Sequence, residues 1–265
     1  MRFAVVSDIH GNLPALQAVL DDIAASGADA ILNLGDIVSG PLWPCETADH
    51  LIPLALPTIR GNHERQVLRP LDGMGASDRH AAERLTPPQR AWLASLPAAL
   101  RWQQEVLCCH GTPSSDLQYF LETVGADFGE RGSRGVRAAT HAEVLARAGS
   151  AEAAVIVCGH THMPRICRLD DGRLVVNPGS VGLPAYDDSH PHEHLMETGS
   201  PHARYAMLEK GRHGWSAQLR AVAYDWDIAA RQAEAHGRGD WADALRTGRV
   251  GRREAEAVAT ARRPG

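Results

Sequence analysis

The chain has 265 residues, 44% of them hydrophobic and 22% charged, with a formal net charge of −5. That length fits one large or two small domains with an ample core. The acidic balance excludes the bulk basic field that advertises nucleic-acid binding, although a local cleft can still hold a phosphate.

Five cysteines (Cys45, Cys108, Cys109, Cys158 and Cys167) make an odd number, and the adjacent pair points to opposite faces of a strand, so no disulfide framework is expected. The opening residues run into an apolar strand without a signal core, and no later apolar run is long enough to span a bilayer. The expectation is a cytoplasmic protein with no membrane partner.

In chain order, Phe3 to Ser7 predicts a strand, broken by Asp8-Ile9-His10-Gly11-Asn12, which sets a carboxylate and an imidazole two residues apart on one side. Pro14 to Ala25 has helical spacing, with Asn12 as N-cap and Gly27 as stop. Ala30 to Leu34 predicts a second strand, ending in Gly35-Asp36, where the alternative for Asp36 is an Asx-turn or cap. After a rigid loop at Pro41-Leu42-Trp43-Pro44, a helix is expected from Glu46 to Leu54 and a third strand from Pro57 to Arg60, ending in Gly61-Asn62-His63-Glu64. Arg65 to Ala82 shows no period. Thr86 and Pro87 then open a helix carrying Trp92, Leu93 and Leu96 on its apolar face.

Leu100 to Trp102 and Val106 to Cys109 predict two paired strands, the second ending in His110-Gly111. Ser114 to Gly135 is loop-rich, and Val136 to Arg147 predicts an amphipathic helix. Val155 to Cys158 is a buried strand followed by Gly159-His160-Thr161-His162, with two imidazoles at i and i+2; a solvated turn is the alternative. A hairpin follows around Asp170-Asp171-Gly172, closed by Asn177-Pro178-Gly179-Ser180. Tyr186 to His202, with His190, His192, His194, His202 and two prolines, has no period and predicts a long surface loop and candidate lid. Strands at Tyr205 to Leu208 and Ser216 to Val222 and helices at Trp226 to Ala235 and Trp241 to Arg246 lead to a polar tail from Gly251 to Gly265 that should fray.

Asp8, His10, Asp36, Asn62, His110, His160 and His162 all fall at the carboxyl ends of predicted strands, where an open α/β sheet places its ligand site. Oxygen and imidazole donors without thiolate suit Mn2+, Fe, Zn2+ or Ni2+ better than Mg2+ or a structural zinc. Seven side chains are too many for one ion, and two ions sharing Asp36 account for them all.

Taken in this order, Asp8-x-His10, Gly35-Asp36, Gly61-Asn62-His63-Glu64, His110-Gly111 and Gly159-His160-x-His162 resemble the motifs of the calcineurin-like metallophosphoesterases, specifically the small bacterial phosphodiesterases of the YfcE type. The resemblance implies an α/β (α+β) fold, a four-layer α/β/β/α sandwich of two mixed sheets flanked by helices. With no internal repeat and no linker that demands a second domain, one domain is expected over 1–265, with the core sandwich in 1–222 and a C-terminal helical extension and tail in 223–265. The resemblance further implies that Asp8, His10, Asp36 and His162 bind one metal, that Asp36, Asn62, His110 and His160 bind the other, and that His63 is a catalytic group outside the ligand set. The implied cofactors are two divalent ions, Mn2+ first. The implied reaction is in-line hydrolysis of small phosphodiesters, with phosphomonoesters also in range, by a hydroxide bridging the ions. Oligomeric state stays open, a homo-oligomer included.

Two features depart from the pattern: Ser39 stands where many relatives carry a second acid, and Tyr186 to His202 exceeds a simple hairpin. The competing readings are a phosphomonoesterase or protein-phosphatase-like enzyme and a catalytically silent scaffold. The complete ligand set speaks against the scaffold.

Overall fold

Phe3 to Val6 are all buried, as a strand covered on both faces requires. They belong to β1 (Arg2–Val6), which pairs in parallel with β2 (Ala30–Asn33), Val5 opposite Leu32. The crossover is α1 (Leu13–Ser26), started by the Asn12 side chain accepting from Ala15 N–H and stopped by Gly27 at φ 70°. The computed structural model describes residues 1–251, so the expectation for the tail beyond Gly251 lies outside the described residues.

The next stretch holds α2 (Pro44–Leu51), α3 (Asn62–Val67), α4 (Ala76–Ala82) and α5 (Pro87–Ser95). Two expectations change here. The third strand is reduced to a single parallel bridge between Thr58 and Asn33, and the segment without a period is helical at both ends. Each of those helices spans fewer than two turns, too short for a period to show.

A second sheet is built from β3 (Leu100–Trp102) and β4 (Val106–Cys108), antiparallel to each other, while β5 (Glu122–Val124) and β6 (Val136–Ala138) form a separate ribbon. The expected helix from Val136 is therefore corrected to begin later, as α6 (His141–Ala148). Its start is set by a capping box: Thr140 accepts from Glu143 N–H, and the Glu143 carboxylate accepts from Thr140 N–H. Then follow β7 (Val155–Val157), β8 (Arg165–Arg168) and β9 (Leu174–Asn177). The predicted loop from Tyr186 is instead a hairpin of β10 (Ala185–Asp188) and β11 (His194–Glu197), with Asp188 opposite His194. Its alternation is hidden because the inward positions on β11 include the polar residues His194 and Glu197. The chain ends with β12 (Ala203–Gly211), β13 (Gly214–Val222), α7 (Trp226–Ala235) and α8 (Gly239–Thr247).

The first sheet has the order β13-β12-β1-β2 and the second β3-β4-β7-β9-β8, both with mixed strand directions. They pack face to face: Phe3, Val5 and Leu32 from one meet Val106, Val157 and Val176 from the other in one apolar cluster. The outer face of the first sheet is covered by α1 through Leu16, Val19 and Ile23, and that of the second by α6 through Val144 and Ala148. This is the expected four-layer sandwich. The helices α7 and α8 form a further cluster against Leu42, Leu183 and Ala185 through Ala229, Ala233, Trp241 and Leu245. All five cysteines are free, and among the described residues no helix is long and apolar enough to cross a membrane.

Candidate metal centre

The strand ends that carry the predicted ligands share an unusual backbone. Asp8, His10, Asp36, His160 and His162 all have positive φ, between 53° and 69°, a left-handed region that costs a non-glycine residue about 1–3 kcal/mol and persists where surroundings over-determine it. Asp8 N–H donates to Gly35 O at 3.0 Å, His10 N–H to Asp36 O at 2.9 Å and Gly11 N–H to Ile37 O at 2.8 Å, so the loops after β1 and β2 hold each other. Gly61 N–H, Asp36 N–H and Ile37 N–H all donate to the buried Glu64 carboxylate, at 2.8, 2.8 and 2.7 Å, which fastens the Asn62 loop to the Asp36 loop. Gly61 must lack a side chain, since a Cβ there would collide with Asp36 Oδ1 and lie 2.8 Å from His110 Cε1.

Two clusters result, Asp8 with His10 and His162, and Asp36 with His110 and His160. In three of the imidazoles Nδ1 faces a backbone carbonyl: His10 to Ser39 O at 2.7 Å, His162 to Leu183 O at 2.7 Å and His110 to Leu34 O at 2.8 Å. A carbonyl only accepts, so each Nδ1 carries a proton and each Nε2 is the atom turned to the site. His160 is reversed: its Nε2 donates to Leu117 O at 3.1 Å and Nδ1 is left as the ligand atom.

The consequence is a pair of close contacts between candidate ligand atoms. His10 Nε2 lies 3.1 Å from His162 Nε2, nitrogen facing nitrogen, and His110 Nε2 lies 3.0 Å from Asp36 Oδ2, a buried contact that takes either a proton or a metal ion between its atoms. Asn62 Oδ1 and His110 Nε2 are buried without a hydrogen-bond partner. Unpartnered buried polar atoms and imidazole nitrogens converging with carboxylates are what a metal site requires, so the donor set fits two divalent ions. The two clusters adjoin, as Asp8 Oδ1 is 3.4 Å from His162 Nε2 and 3.9 Å from His110 Nε2.

Electrostatics follow the same division. Burial, then the charge of His162, lowers His10 to about 4, and burial, then His110, lowers His160 to about 4, so both rings are neutral at pH 7. Burial opposes charge on His110 too, but Asp36 beside it raises His110 to about 10. A proton thus occupies that contact when no metal does. Burial likewise opposes ionisation of Asp36, yet His110 and His63 hold it well below the usual carboxylate range.

His63 lies outside both clusters. Its backbone N–H donates to Asp36 Oδ1 at 2.9 Å, and its Nδ1 donates to Asp78 Oδ1 at 2.7 Å, leaving Nε2 as the free edge of a ring that lines the cavity. Burial is the largest influence and disfavours the charge, but Asp36 and Asp78 outweigh it and push His63 to about 9. A cavity of about 850 Å³ opens over His10, Asp36, Asn62, His63, His160 and His162.

The seven predicted ligands and His63 are thus brought together, whereas the histidines of the 186–202 segment are not. His190 lines the cavity. His192 is exposed, and His202 packs against Trp226 at 5.7 Å. His194 is fully buried, with Nδ1 donating to His192 O at 2.7 Å and Nε2 2.9 Å from the Tyr119 hydroxyl. What that hairpin offers the ligands is Tyr186, whose ring meets His162 at 4.7 Å and whose hydroxyl donates to His160 O at 3.2 Å. Sequence reasoning gave no role to Glu64, Asp78, Tyr119 or Tyr186. Only Glu64 left a signal, three residues beyond the glycine it caps. Ser39, noted above as a departure from the motif, contributes its backbone carbonyl to His10.

A sandwich of two mixed sheets with Asp/His clusters at one rim has the architecture of a metallohydrolase. The chain belongs to the calcineurin-like phosphoesterase superfamily, whose domain it matches over residues 1–200. It is 28% identical over 219 residues to phosphodiesterase YfcE of Escherichia coli, covering 79% of this chain and 88% of that protein. It is also 28% identical over 207 residues to an uncharacterized protein of Methanocaldococcus jannaschii, covering 68% and 76%. The fold is shared with a metallophosphoesterase from Sphaerobacter thermophilus (TM-score 0.68, 24% identity, 94% of this chain and 99% of that one). A hypothetical protein from Pyrococcus horikoshii has the same fold (TM-score 0.71, 18% identity, 93% and 98%). The protein is a metal-dependent phosphoric ester hydrolase.

Proposed function

We propose that the protein hydrolyses small phosphodiesters at a dinuclear centre in which Asp8, His10, Asp36 and His162 hold one ion and Asp36, Asn62, His110 and His160 the other, with Mn2+ the expected metal. The observation that carries this is the pair of close, buried contacts between candidate ligand atoms, His10 to His162 and His110 to Asp36. When bound, the two cations supply charge neutralisation at the phosphoryl oxygens and an acidified water as nucleophile. The chain's own residues do the rest. Glu64 fixes the Asp36 and Asn62 loops relative to each other, so the phosphate meets a preformed site. His63, protonated at neutral pH and steered by Asp78, donates from Nε2 to the oxygen of the departing group. No serine or cysteine is needed as a nucleophile; burial pushes Cys109 and Cys158 far above the range in which thiolates form.

Preference for diesters is supported by the relation to YfcE and by a cavity of about 850 Å³, roomy enough for a substituent on each side of a phosphate. The test is turnover of bis-p-nitrophenyl phosphate and p-nitrophenyl phosphate with Mn2+, before and after chelation. Faster turnover of the diester, lost with chelator and restored with metal, is expected. Activity that survives removal of all metal would overturn the metal reading, and turnover of the monoester alone would overturn the diester preference.

A further inference from the structure

The superfamily match ends at residue 200, but the wall of the site does not. Ser77, Arg238, Asp240 and Trp241 line the same cavity as the ligands, and the last three lie in or beside α8. Trp241 is 7% exposed, and its ring stands edge-on to His10 with centroids 5.9 Å apart. A side chain at Gly40 would meet the Trp241 ring at 2.8 Å, so the loop carrying Asp36 and Ser39 is moulded against that indole.

Arg238 stacks on Trp241 at 5.5 Å and is oriented by Asp240 through Nε at 2.9 Å and Nη2 at 2.6 Å. Its remaining nitrogen, Nη1, donates to Ser77 Oγ at 2.9 Å. Ser77 precedes Asp78 on α4, the seven-residue helix whose start at Gly75 has no side-chain cap. On the other side of Asp78, the His80 ring packs on His236 at 4.5 Å, and His236 Nδ1 donates to Pro41 O at 2.6 Å. Asp78, the partner of His63, therefore sits between two points at which the C-terminal segment grips a short, weakly capped helix.

We propose that Arg238 and Trp241 are positioning residues for the reaction: the α7–α8 pair holds α4 so that Asp78 presents His63 to the leaving oxygen, which makes the extension a working part of the active site. This rests on the role given to His63 above. A helix of under two turns has little intrinsic stability, so its placement follows from what holds it, and a shift of about 1 Å at a proton donor is costly.

The test is Arg238→Ala, alone and combined with His63→Ala, in the full-length Mn2+ enzyme, assayed on bis-p-nitrophenyl phosphate and on diphenyl phosphate, which has the poorer leaving group. The expected result is a loss in kcat of about tenfold on diphenyl phosphate and under about threefold on the activated diester, with KM and metal content unchanged. Adding Arg238→Ala to His63→Ala should cost nothing further, and Arg238→Lys should recover part of the rate. Equal losses on the two substrates, or losses additive with His63→Ala, overturn the proposal. A second readout needs neither metal nor turnover: the hydrogen-bonded Nδ1 proton of His63, followed by NMR in the metal-free protein, should shift or broaden in Arg238→Ala, and an unchanged signal overturns the proposal. If His63→Ala itself shows no dependence on leaving group, the reading of His63 falls, and that proton signal decides the positioning by itself. Should Arg238→Ala not fold, Ser77→Ala removes only the accepting hydroxyl and carries the same expectations.

Discussion

Asp36 touches three of the residues in the proposed chemistry. Oδ1 accepts from His63 N–H, Oδ2 lies 3.0 Å from His110 Nε2, and its backbone oxygen accepts from His10 N–H. Asp36→Asn should therefore cost more activity than Asn62→Ala, because it touches both proposed ions and the backbone of His63. Measured turnover on bis-p-nitrophenyl phosphate that falls equally in the two variants would argue against a shared carboxylate. Glu122 gives a prediction about stability. It is 6% exposed, accepts from Thr161 between His160 and His162, and leaves Oε2 unpaired; burial raises it from 4.5 to about 7 despite Thr161, Arg165 and Arg147. A carboxyl whose folded value is raised binds more protons in the folded state between those limits. Its contribution is present below about pH 4.5 and is lost as pH rises through about 7. Glu122→Gln, which cannot ionise, should thus gain stability over the parent by up to about 3 kcal/mol between pH 4.5 and 8, read from denaturant unfolding at both pH values. A constant difference would show that the Glu122 carboxyl does not titrate in this range.

At the level of elements, the hairpin of β10 and β11 separates two uses of histidine. His194 is buried and hydrogen-bonded at both nitrogens, whereas His190 and His192 are exposed. His194→Ala should destabilise the protein by about 1–3 kcal/mol in thermal or denaturant unfolding, as it strips a buried partner from Tyr119. The double substitution of His190 and His192 should leave stability unchanged, and any effect it has on KM would mark the hairpin tip as a contact for substrate. The same elements show what the sequence made legible and why. Apolar runs that stop beside glycine and Asp, Asn or His pointed to all seven candidate ligands, because apolar runs and glycine breaks are local signals. Asp78 was hidden: its link to His63 crosses 15 residues of chain within a stretch too short in each helix to show a period. The positive φ of Asp8, His10, Asp36, His160 and His162 was hidden as well, since it is imposed by hydrogen bonds between separate loops. The start of α6 was legible in principle, in the Thr140 and Glu143 capping box, but the apolar spacing upstream of it drew the helix three residues into β6.

On the scale of the whole molecule, the proposed ions would join the two halves of the sandwich. Asp8, His10 and Asp36 follow β1 and β2 of the first sheet, while His110, His160 and His162 follow β4 and β7 of the second. Metal bound to the folded protein and not to the unfolded chain stabilises it by about 2.7 kcal/mol per site at a free concentration 100 times Kd, and two sites together should raise Tm by roughly 10–20 °C. His110 gives this stabilisation a pH dependence of known sign. In the metal-free protein its value is raised from 6.5 to about 10, chiefly by Asp36 working against burial, so its contribution is fully present below about pH 6.5 and is lost as pH rises through about 10. Metal must displace that proton to reach Nε2, and it meets less competition as pH rises. The Tm gap between metal-loaded and chelated protein should therefore widen from pH 7 to pH 9. Loading at pH 7 should release about one proton, from His110 and not from His10 or His160, which are already neutral. Titration calorimetry in two buffers of different ionisation enthalpy measures that proton. Binding heats that do not depend on the buffer, together with a Tm gap that stays constant, would mean that no ion displaces the proton between His110 and Asp36.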